Sequence, residues 1–222
     1  MKILCVADTQ DPLVYSNSIK QRFSDIDIIL GAGDLPLDYY GFIVSSLNKP
    51  LLFIFGNHNL NDLSIYKREY QNHFQGDLHG CNEYERCGAI FTGGRVVKVN
   101  RLLIAGLGGC MRYNDGLNQY TDFGMWLAVL KLVPRLLWNR LVRGRFLDVM
   151  LTHAPPRGIH EGDDRCHRGF ASFLWLIKTF KPKLFIHGHT HLYSNTESRE
   201  SLCYSTRVIN AYSHVVLDFE ET

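Results

Sequence analysis

The sequence predicts an α/β fold, a sandwich of helices and mixed β-sheets, in one chain of 222 residues. Short apolar runs that end at Gly, Asp or His recur along the chain, and segments with helical spacing separate several of them. No internal repeat and no linker rich in Pro, Gly or Ser marks a second domain. With 45% hydrophobic residues the chain can bury one sizeable core, so we expect a single domain over residues 1–222.

We interpret six short apolar runs as buried strands, because strands covered on both faces are continuously apolar rather than alternating. They span residues 3–7, 26–30, 51–55, 102–105, 147–151 and 184–186. Helical spacing predicts helices over residues 18–23, 39–47 and 170–180.

Two further strand pairs differ from this alternating pattern. Residues 96–99 and 102–107, separated by Asn100 and Arg101, predict a hairpin. Residues 208–209 and 215–219 predict strands that close the fold near the C-terminus. Parallel and antiparallel pairing should therefore coexist.

The segment 121–145 combines apolar residues near helical spacing with five basic residues. We expect a helix that lies on the sheet, and Pro134 should kink or divide it. A helix that binds a membrane surface or a partner is the alternative. The moderate basicity and the interrupting proline make that alternative the weaker one.

Composition limits the cellular setting. A net charge of +2 does not indicate a nucleic-acid polymer or a membrane as partner. The six cysteines form neither a Cys-x-x-Cys pair nor a dense framework, which favours a reducing compartment. The first apolar run is too short for a signal peptide, and no apolar run approaches the roughly 20 residues that cross a bilayer. We therefore expect a cytoplasmic protein, and the oligomeric state stays open.

Polar residues of the kinds that bind metals come directly after the predicted strands. They are Asp8, Asp34, Asn57 with His58, His153, and His189 with His191. Open α/β sheets bind their ligands at the carboxyl ends of strands, so these side chains should meet at one rim. Carboxylate, imidazole and amide groups together suit Mn, Fe, Zn or Mg rather than an ion that prefers thiolates.

Each of these residues has an ordinary structural explanation when it is taken alone. An acidic residue or an Asn-His pair after a glycine is common in turns, and a single His153 is compatible with a buried polar residue. His189 and His191 are a stronger signal, since two residues spaced by two point to the same side of an extended segment. Their conjunction at successive strand ends favours a metal site.

Five blocks of the sequence resemble the motifs of the calcineurin-like metallophosphoesterase superfamily, Asp-x-His, Gly-Asp, Gly-Asn-His, His and Gly-His-x-His. The matching blocks are Asp8-Thr9-Gln10, Gly33-Asp34, Gly56-Asn57-His58, His153 and Gly188-His189-Thr190-His191. They extend from the first strand nearly to the C-terminus. The resemblance implies a four-layer αββα sandwich of two mixed sheets.

The resemblance also implies a role for each residue. One divalent ion would be held by Asp8, Asp34 and His191, and another by Asp34, Asn57, His153 and His189. Asp34 would bridge the two ions, and His58 would stabilise charge on the substrate or protonate the leaving oxygen. Asp34 and His58 are therefore the catalytic candidates. One or two ions would activate water as hydroxide for attack on phosphorus.

The first block departs from the family pattern, because Gln10 occupies the position of the usual histidine. An amide oxygen is a poorer donor than imidazole for late divalent metals. Gln10 could coordinate weakly, a water or Asp11 could replace it, or the first site could stay empty until a substrate phosphate binds. A non-histidine residue here resembles a cytosolic, prokaryotic-type subgroup of the family.

The expected substrate is a small phosphorylated molecule, and the resemblance favours a phosphodiester over a phosphomonoester or a nucleotide. A scaffold or ligand-binding module with a weakened site is the alternative that Gln10 leaves open. Loop residues at the rim are candidates for substrate contacts: Arg112, Tyr113, Arg157, His160, Asp163, Asp164, Cys166 and His167. The remaining histidines are interpreted as structural: His73, His79, His187 and His214.

Overall fold

The computed structural model of the chain describes residues 1–61, 63–66, 87–193 and 198–220. Two large mixed sheets stack face to face, with helices on their outer faces. The prediction of a mixed α/β sandwich is therefore confirmed. His73 and His79, which were predicted to be structural, lie outside the described residues.

The first sheet has the strand order β13-β1-β2-β3-β4. Strand β13 runs antiparallel to β1, and the other neighbours are parallel. The strands are β1 (Lys2–Ala7), β2 (Ile28–Gly31), β3 (Leu51–Phe53), β4 (Ile90–Phe91) and β13 (Ser213–Asp218).

The second sheet has the strand order β11-β12-β10-β9-β6-β5. Its strands are β5 (Arg95–Val99), β6 (Leu102–Leu107), β9 (Val149–Thr152), β10 (Leu184–His187), β11 (Glu200–Cys203) and β12 (Thr206–Asn210). The central pairs are parallel and the two edge pairs are antiparallel. The predicted hairpin is the antiparallel β5 and β6 pair, in which Val99 lies opposite Leu102.

Five helices and a small parallel pair complete the described elements. The helices are α1 (Ile19–Arg22), α2 (Leu37–Leu47), α3 (Leu63–Tyr66), α4 (Asp122–Arg143) and α5 (Ala171–Phe180). The small pair is β7 (Cys110–Met111) with β8 (Gln119–Tyr120). No helix among the described residues is long and apolar enough to cross a bilayer.

Three apolar layers explain why the strands are continuously apolar. Residues Ile3 and Cys5 of β1 point between the two sheets, where they join Ile104 and Leu151 from the second sheet. The alternate residues of β1 point outward and pack under α1 and α2. The second sheet is covered in the same way by α4 and α5. The order of layers is helix, sheet, sheet, helix, as the resemblance implies.

Pro134 was expected to kink or divide the segment, and it does not divide helix α4. The segment forms one helix of 22 residues with Pro134 inside it. Thr121 caps its beginning by accepting a hydrogen bond from the Gly124 amide at 3.0 Å. Gly144 ends it in the left-handed conformation with φ 75°. Pro134 is on the exposed face, and buried residues on both sides of it anchor the helix to the sheet.

Candidate metal centre

The carboxyl ends of β1, β2 and β3 meet those of β9 and β10 at one edge of the sandwich. Asp34 Oδ, a ring nitrogen of His153 and a ring nitrogen of His189 all lie within 4.8 Å of one another. All three residues are buried. Each comes from a different strand end, so the fold brings together residues up to 155 positions apart in the sequence, from Asp34 to His189.

His153 presents one ring nitrogen to this cluster. Its Nδ1 donates a hydrogen bond to the Ala32 carbonyl oxygen at 2.8 Å. Its Nε2 faces the Asn57 Oδ1 at 3.0 Å and the Asp34 Oδ2 at 3.3 Å. In the neutral ring Nε2 is an acceptor, so three acceptors converge on one point. Such a point suits a cation, and the carbonyl that fixes the tautomer is typical of metal-binding histidines.

His189 is oriented in a similar way by the backbone. Its Nε2 donates to the Cys166 carbonyl oxygen at 2.9 Å, which leaves Nδ1 with a free electron pair. The His189 ring centroid lies 4.7 Å from that of His153. Two imidazoles with fixed tautomers therefore flank the Asp34 carboxylate.

Backbone amides hold the two carboxylates in place. The His58 amide donates to Asp34 Oδ1 at 2.7 Å. The His189 amide donates to Asp8 Oδ1 and Oδ2 at 2.9 and 3.0 Å. Asp8, Asp34 and His189 have φ of 66°, 59° and 68°, a region that costs about 1–3 kcal/mol for non-glycine residues. Strain at three candidate ligands indicates that the surrounding fold fixes their geometry.

The glycines before three of these residues leave room for the cluster. A Cβ atom on Gly56 would overlap the Asp34 Oδ1, and one on Gly33 would lie 2.6 Å from His153 Nδ1. A Cβ atom on Gly188 would lie 2.7 Å from Asp8 Oδ2. The Gly-Asp, Gly-Asn-His and Gly-His blocks therefore need glycine because a side chain would enter the site.

Charges in the cluster shift the protonation of its members. Burial raises the pKa of Asp8 to about 7, and the nearby Asp34 carboxylate adds to that shift. Burial alone would lower the pKa of His153, but the Asp34 and Asp8 carboxylates raise it to about 9. Burial lowers the pKa of His189 to about 3, so its ring is neutral at neutral pH. Without a metal ion, a proton on His153 occupies the point where the acceptors converge.

Two of the predicted ligands lie at the margin of this cluster. His191 is half-buried, and its Nδ1 lies 3.0 Å from the Tyr193 hydroxyl. Gln10 is exposed, and no contact joins it to the cluster among the described residues. The His58 side chain is exposed at the rim, while its amide binds Asp34.

Asp11 cannot readily replace Gln10, because its own oxygens are already occupied. Its Oδ1 accepts a hydrogen bond from the Leu13 amide at 2.7 Å. Its Oδ2 lies 2.5 Å from both the Ser213 hydroxyl and His214 Nδ1. His214 thus has a structural partner in Asp11, in agreement with its interpretation as a structural residue.

A chain of histidines lies behind the centre. His187 is fully buried, and its Nδ1 donates to the Gly188 carbonyl oxygen at 2.9 Å. His160 Nδ1 lies 3.0 Å from His187 Nε2, and His160 Nε2 lies 2.8 Å from the Ser201 hydroxyl. His187 is structural in this arrangement. His160, a predicted substrate residue, has both ring nitrogens occupied.

The other loop candidates divide into two groups. Arg157 is bound to Asp122 at 3.1 Å and to the Gly169 carbonyl oxygen at 2.7 Å, so its guanidinium is not free for phosphate. His167 lies 2.6 Å from Asp164 Oδ2, and its ring centroid is 4.9 Å from that of His189. Arg112 and Asp163 are exposed, in a polar cavity of about 740 Å³.

Tyr113 and Cys166 are closer to the centre than their loop positions suggest. The Asn57 amide nitrogen donates to the Tyr113 hydroxyl at 3.5 Å. The Cys166 Sγ lies 3.7 Å from His189 Nε2. Cys110 was not among the predicted site residues, yet its Sγ lies within 4.8 Å of the Cys166 Sγ and a His189 nitrogen. It follows a strand end as the other site residues do, and that is the signal available in the sequence.

Comparison with known proteins adds independent information. A family model described as calcineurin-like phosphoesterase matches residues 1–193. A search of curated proteins found no match. One solved crystal structure is 14% identical to this chain and superimposes with a TM-score of 0.66. The alignment covers 98% of this chain and 94% of the chain in that structure. The crystal structure of TT1561 of Thermus thermophilus is 16% identical with a TM-score of 0.60, covering 96% of this chain and 89% of its own. These two likenesses concern the fold.

Proposed function

The chain belongs to the calcineurin-like phosphoesterase family, and on that premise we propose that it is a metal-dependent hydrolase of a small phosphodiester. One observation supports the proposal above the others. Asn57 Oδ1 and Asp34 Oδ2 lie 3.0 and 3.3 Å from His153 Nε2, beside the neutral ring of His189. That donor set fits a divalent ion such as Mn, Fe, Zn or Mg.

The residues would hold one or two ions in the arrangement that the family motifs imply. Asp34, Asn57, His153 and His189 would bind one ion. Asp8, Asp34 and His191 would bind the other. Bound divalent ions supply Lewis acidity toward phosphoryl oxygens and lower the pKa of water. Without Gln10, which is exposed, the site of Asp8, Asp34 and His191 has three protein donors, whereas the other site has four.

The remaining groups act on the substrate rather than on the ions. His58 follows Asn57 directly, and its exposed ring lies at the rim where a phosphate would bind. It can hold a proton near the leaving oxygen or stabilise charge on the phosphoryl group. The Tyr113 hydroxyl, 3.5 Å from the Asn57 amide nitrogen, can donate to a phosphoryl oxygen.

The shape of the rim supports a small substrate. An open cleft of about 610 Å³ adjoins the centre, and His167, His191, Tyr193 and Asn210 are among its lining residues. Clefts of about 300–1,000 Å³ are typical of sites for small molecules. A phosphodiester, a phosphomonoester and a nucleotide all fit this volume, and the family resemblance favours the diester.

Hydrolysis of chromogenic esters tests the proposal. The parent chain, Asp34→Asn and His58→Ala would be assayed with bis(p-nitrophenyl) phosphate and p-nitrophenyl phosphate, each with added Mn, Zn or Mg. We expect metal-dependent hydrolysis by the parent, preferring the diester. Asp34→Asn should lose metal binding and activity together. His58→Ala should keep its metal and lose about 10²–10⁴-fold in kcat, the range for removing an acid or base.

A matched carboxylate variant controls for general charge loss. Asp218→Asn removes an exposed carboxylate that lies opposite Lys2, at the end of β1 remote from Asp8, and should leave metal content and rate unchanged. Equal rates for the parent, Asp34→Asn and His58→Ala across both substrates and all three metals would contradict the proposal. That outcome would instead favour a scaffold or ligand-binding role.

A further inference from the structure

The outward face of α4 carries an unusual concentration of exposed apolar side chains. Seven of the fourteen large apolar residues that are exposed in the described chain lie on this helix. Phe123, Trp138 and Leu141 expose 71%, 55% and 79% of their surface. The other four are Leu127, Leu130, Leu137 and Val142. Contiguous apolar patches of this kind mark interaction sites on otherwise soluble proteins.

The spacing of these residues forms a continuous stripe. Phe123, Leu127, Leu130, Leu137 and Leu141, together with Pro134, are separated by alternating steps of four and three residues. At 3.6 residues per turn such steps keep side chains on one side of a helix. The opposite side packs on the second sheet through a separate set of buried residues: Met125, Val129, Leu132 and Leu136. The stripe therefore faces away from the protein.

Cations border the stripe on both sides. On the helical wheel Lys131 and Arg135 lie along one edge of the stripe, and Arg140 lies along the other edge. Arg143 lies at the C-terminal end of the helix, whereas the nearby Arg145 is paired with Asp148 at 2.9 Å and adds no free charge. Asp122 is the one acidic residue of α4, and Arg157 neutralises it at 3.1 Å. The exposed face thus combines apolar area with four cations of α4 that have no ion pair within the described part of the chain: Lys131, Arg135, Arg140 and Arg143.

This charge pattern distinguishes between the surfaces that could cover the stripe. A stripe with alternating steps of four and three residues also fits a pair of packed helices. Paired helices, however, place opposite charges along the two edges of their interface. Two copies of α4 would bring cations against cations along both edges. An anionic bilayer surface offers apolar depth for the stripe and negative headgroups for the flanking Lys and Arg, whose long stems can extend to them.

We propose that α4 docks the protein on the surface of an anionic lipid bilayer, with the helix axis in the plane of the interface. The stripe enters the boundary between headgroups and acyl chains, and Trp138 lies at the level where tryptophan is enriched in membranes. This inference is independent of the phosphoesterase activity. It favours the alternative of a membrane-surface helix for segment 121–145 over the expectation that the chain has no membrane partner.

Vesicle cosedimentation with the purified full chain tests the proposal. Vesicles of phosphatidylcholine alone would be compared with vesicles in which a third of the lipid is phosphatidylglycerol. We expect binding to the anionic vesicles that weakens as salt is raised, and little binding to the neutral ones. Trp138 fluorescence should shift to the blue on binding, and Trp138→Phe should lose that shift while Trp126 and Trp175 remain.

Exposed substitutions with matched controls separate the two contributions. Leu141→Glu should weaken vesicle binding about tenfold or more, since it removes a leucine that the lipid interface would bury. Leu202→Glu, at a comparably exposed leucine on β11, should have no effect. The double variant Lys131→Glu with Arg135→Glu should lose at least about twentyfold, from about fivefold for each cation. The double variant Lys20→Glu with Arg22→Glu reverses two exposed cations of α1, on the opposite outer face of the sandwich, and should bind as the parent does.

Three results would overturn the proposal. The first is no binding of the parent to anionic vesicles at low salt. The second is equal losses in the α4 variants and their controls. The third is a lipid-free dimer, measured by sedimentation velocity, that Leu141→Glu dissociates, because that result would assign the stripe to a second copy of the chain.

Discussion

Metal binding should release protons from two side chains of the cluster, and the number should fall as pH rises. In the metal-free chain His153 has a pKa of about 9, so it holds a proton at pH 7. Asp8 has a pKa of about 7 and holds about half a proton there. His189, with a pKa of about 3, holds none. A divalent ion binds the deprotonated forms, so loading the site displaces these protons.

The expected count follows from these values. At pH 7 about 1.5 protons should leave per fully loaded site, about one from His153 and about half from Asp8. The count should approach about two near pH 6 and fall close to zero near pH 10, where both groups are already deprotonated. Ionisation of a bound water would change the count in the opposite direction, so the slope identifies the source.

Calorimetric titration with Mn²⁺ in buffers of different protonation enthalpy measures the count at each pH. Asp8→Asn should remove about half a proton at pH 7 and nearly one at pH 6. Asp218→Asn, at the end of β13 that is remote from the cluster, should change neither value. A proton count that stays near zero between pH 6 and pH 8, or that rises with pH, would refute the assignment of protons to His153 and Asp8.

Four further outcomes follow from the same geometry. Gly56→Ala should weaken Mn²⁺ binding at least about tenfold, because the added methyl group overlaps the cluster at a cost of about 1–3 kcal/mol in binding free energy. Gly41→Ala in α2 should bind Mn²⁺ as the parent does, and equal Mn²⁺ affinities of the two variants would contradict this. His187 and His189, whose pKa values are lowered to about 3, are neutral in both the folded and the unfolded chain above about pH 7, whereas folded His153 still holds its proton. The stability of the metal-free chain to urea should therefore fall between about pH 7 and about pH 9; a rise in that range would contradict the shift of His153. Asp11→Asn should lower the free energy of unfolding by about 1.5–3 kcal/mol and leave metal content unchanged. Loss of metal from this variant would show that Asp11 is a metal ligand. Gln10→His should raise the metal content measured by elemental analysis at limiting Mn²⁺; equal occupancy in both proteins would mean that this position does not limit the site.

The central strands and the candidate residues that follow them could be read from the sequence because both depend on the same pattern. Strands such as β1 and β9 are buried on both faces, so they appear as continuous apolar runs. Asp8 and His153 follow those runs at the point where a parallel sheet presents its ligands. The position of these residues in three dimensions follows from the fold without further information.

Elements that depend on few or exposed residues were not predicted. Strand β11 alternates exposed and partly buried residues, and β4, β7 and β8 have two residues each. Such segments carry too little apolar periodicity to be recognised, and their neighbours determine their conformation. The two C-terminal strands β12 and β13 were predicted as strands, but their assignment to different sheets depends on the packing of the whole chain.

The ion-pair partners of charged residues could not be predicted from the sequence either. Asp11 and His214 are 203 positions apart, and their contact depends on the antiparallel pairing of β13 with β1. The continuity of α4 through Pro134 has a similar origin, because packing on both sides of the proline outweighs its local preference. Local rules predict the elements, and tertiary packing decides which of the remaining polar groups meet.

Anomalous diffraction from a crystal soaked in Mn²⁺ would locate the ions. We expect a peak at the point where His153 Nε2, Asn57 Oδ1 and Asp34 Oδ2 converge, at about 2.0–2.3 Å from each donor and from His189 Nδ1. A peak near Asp8 and His191 would show the other ion as well. Absence of any peak there at saturating Mn²⁺, or a peak confined to Asp164 and His167, would mean that these residues do not form a metal centre.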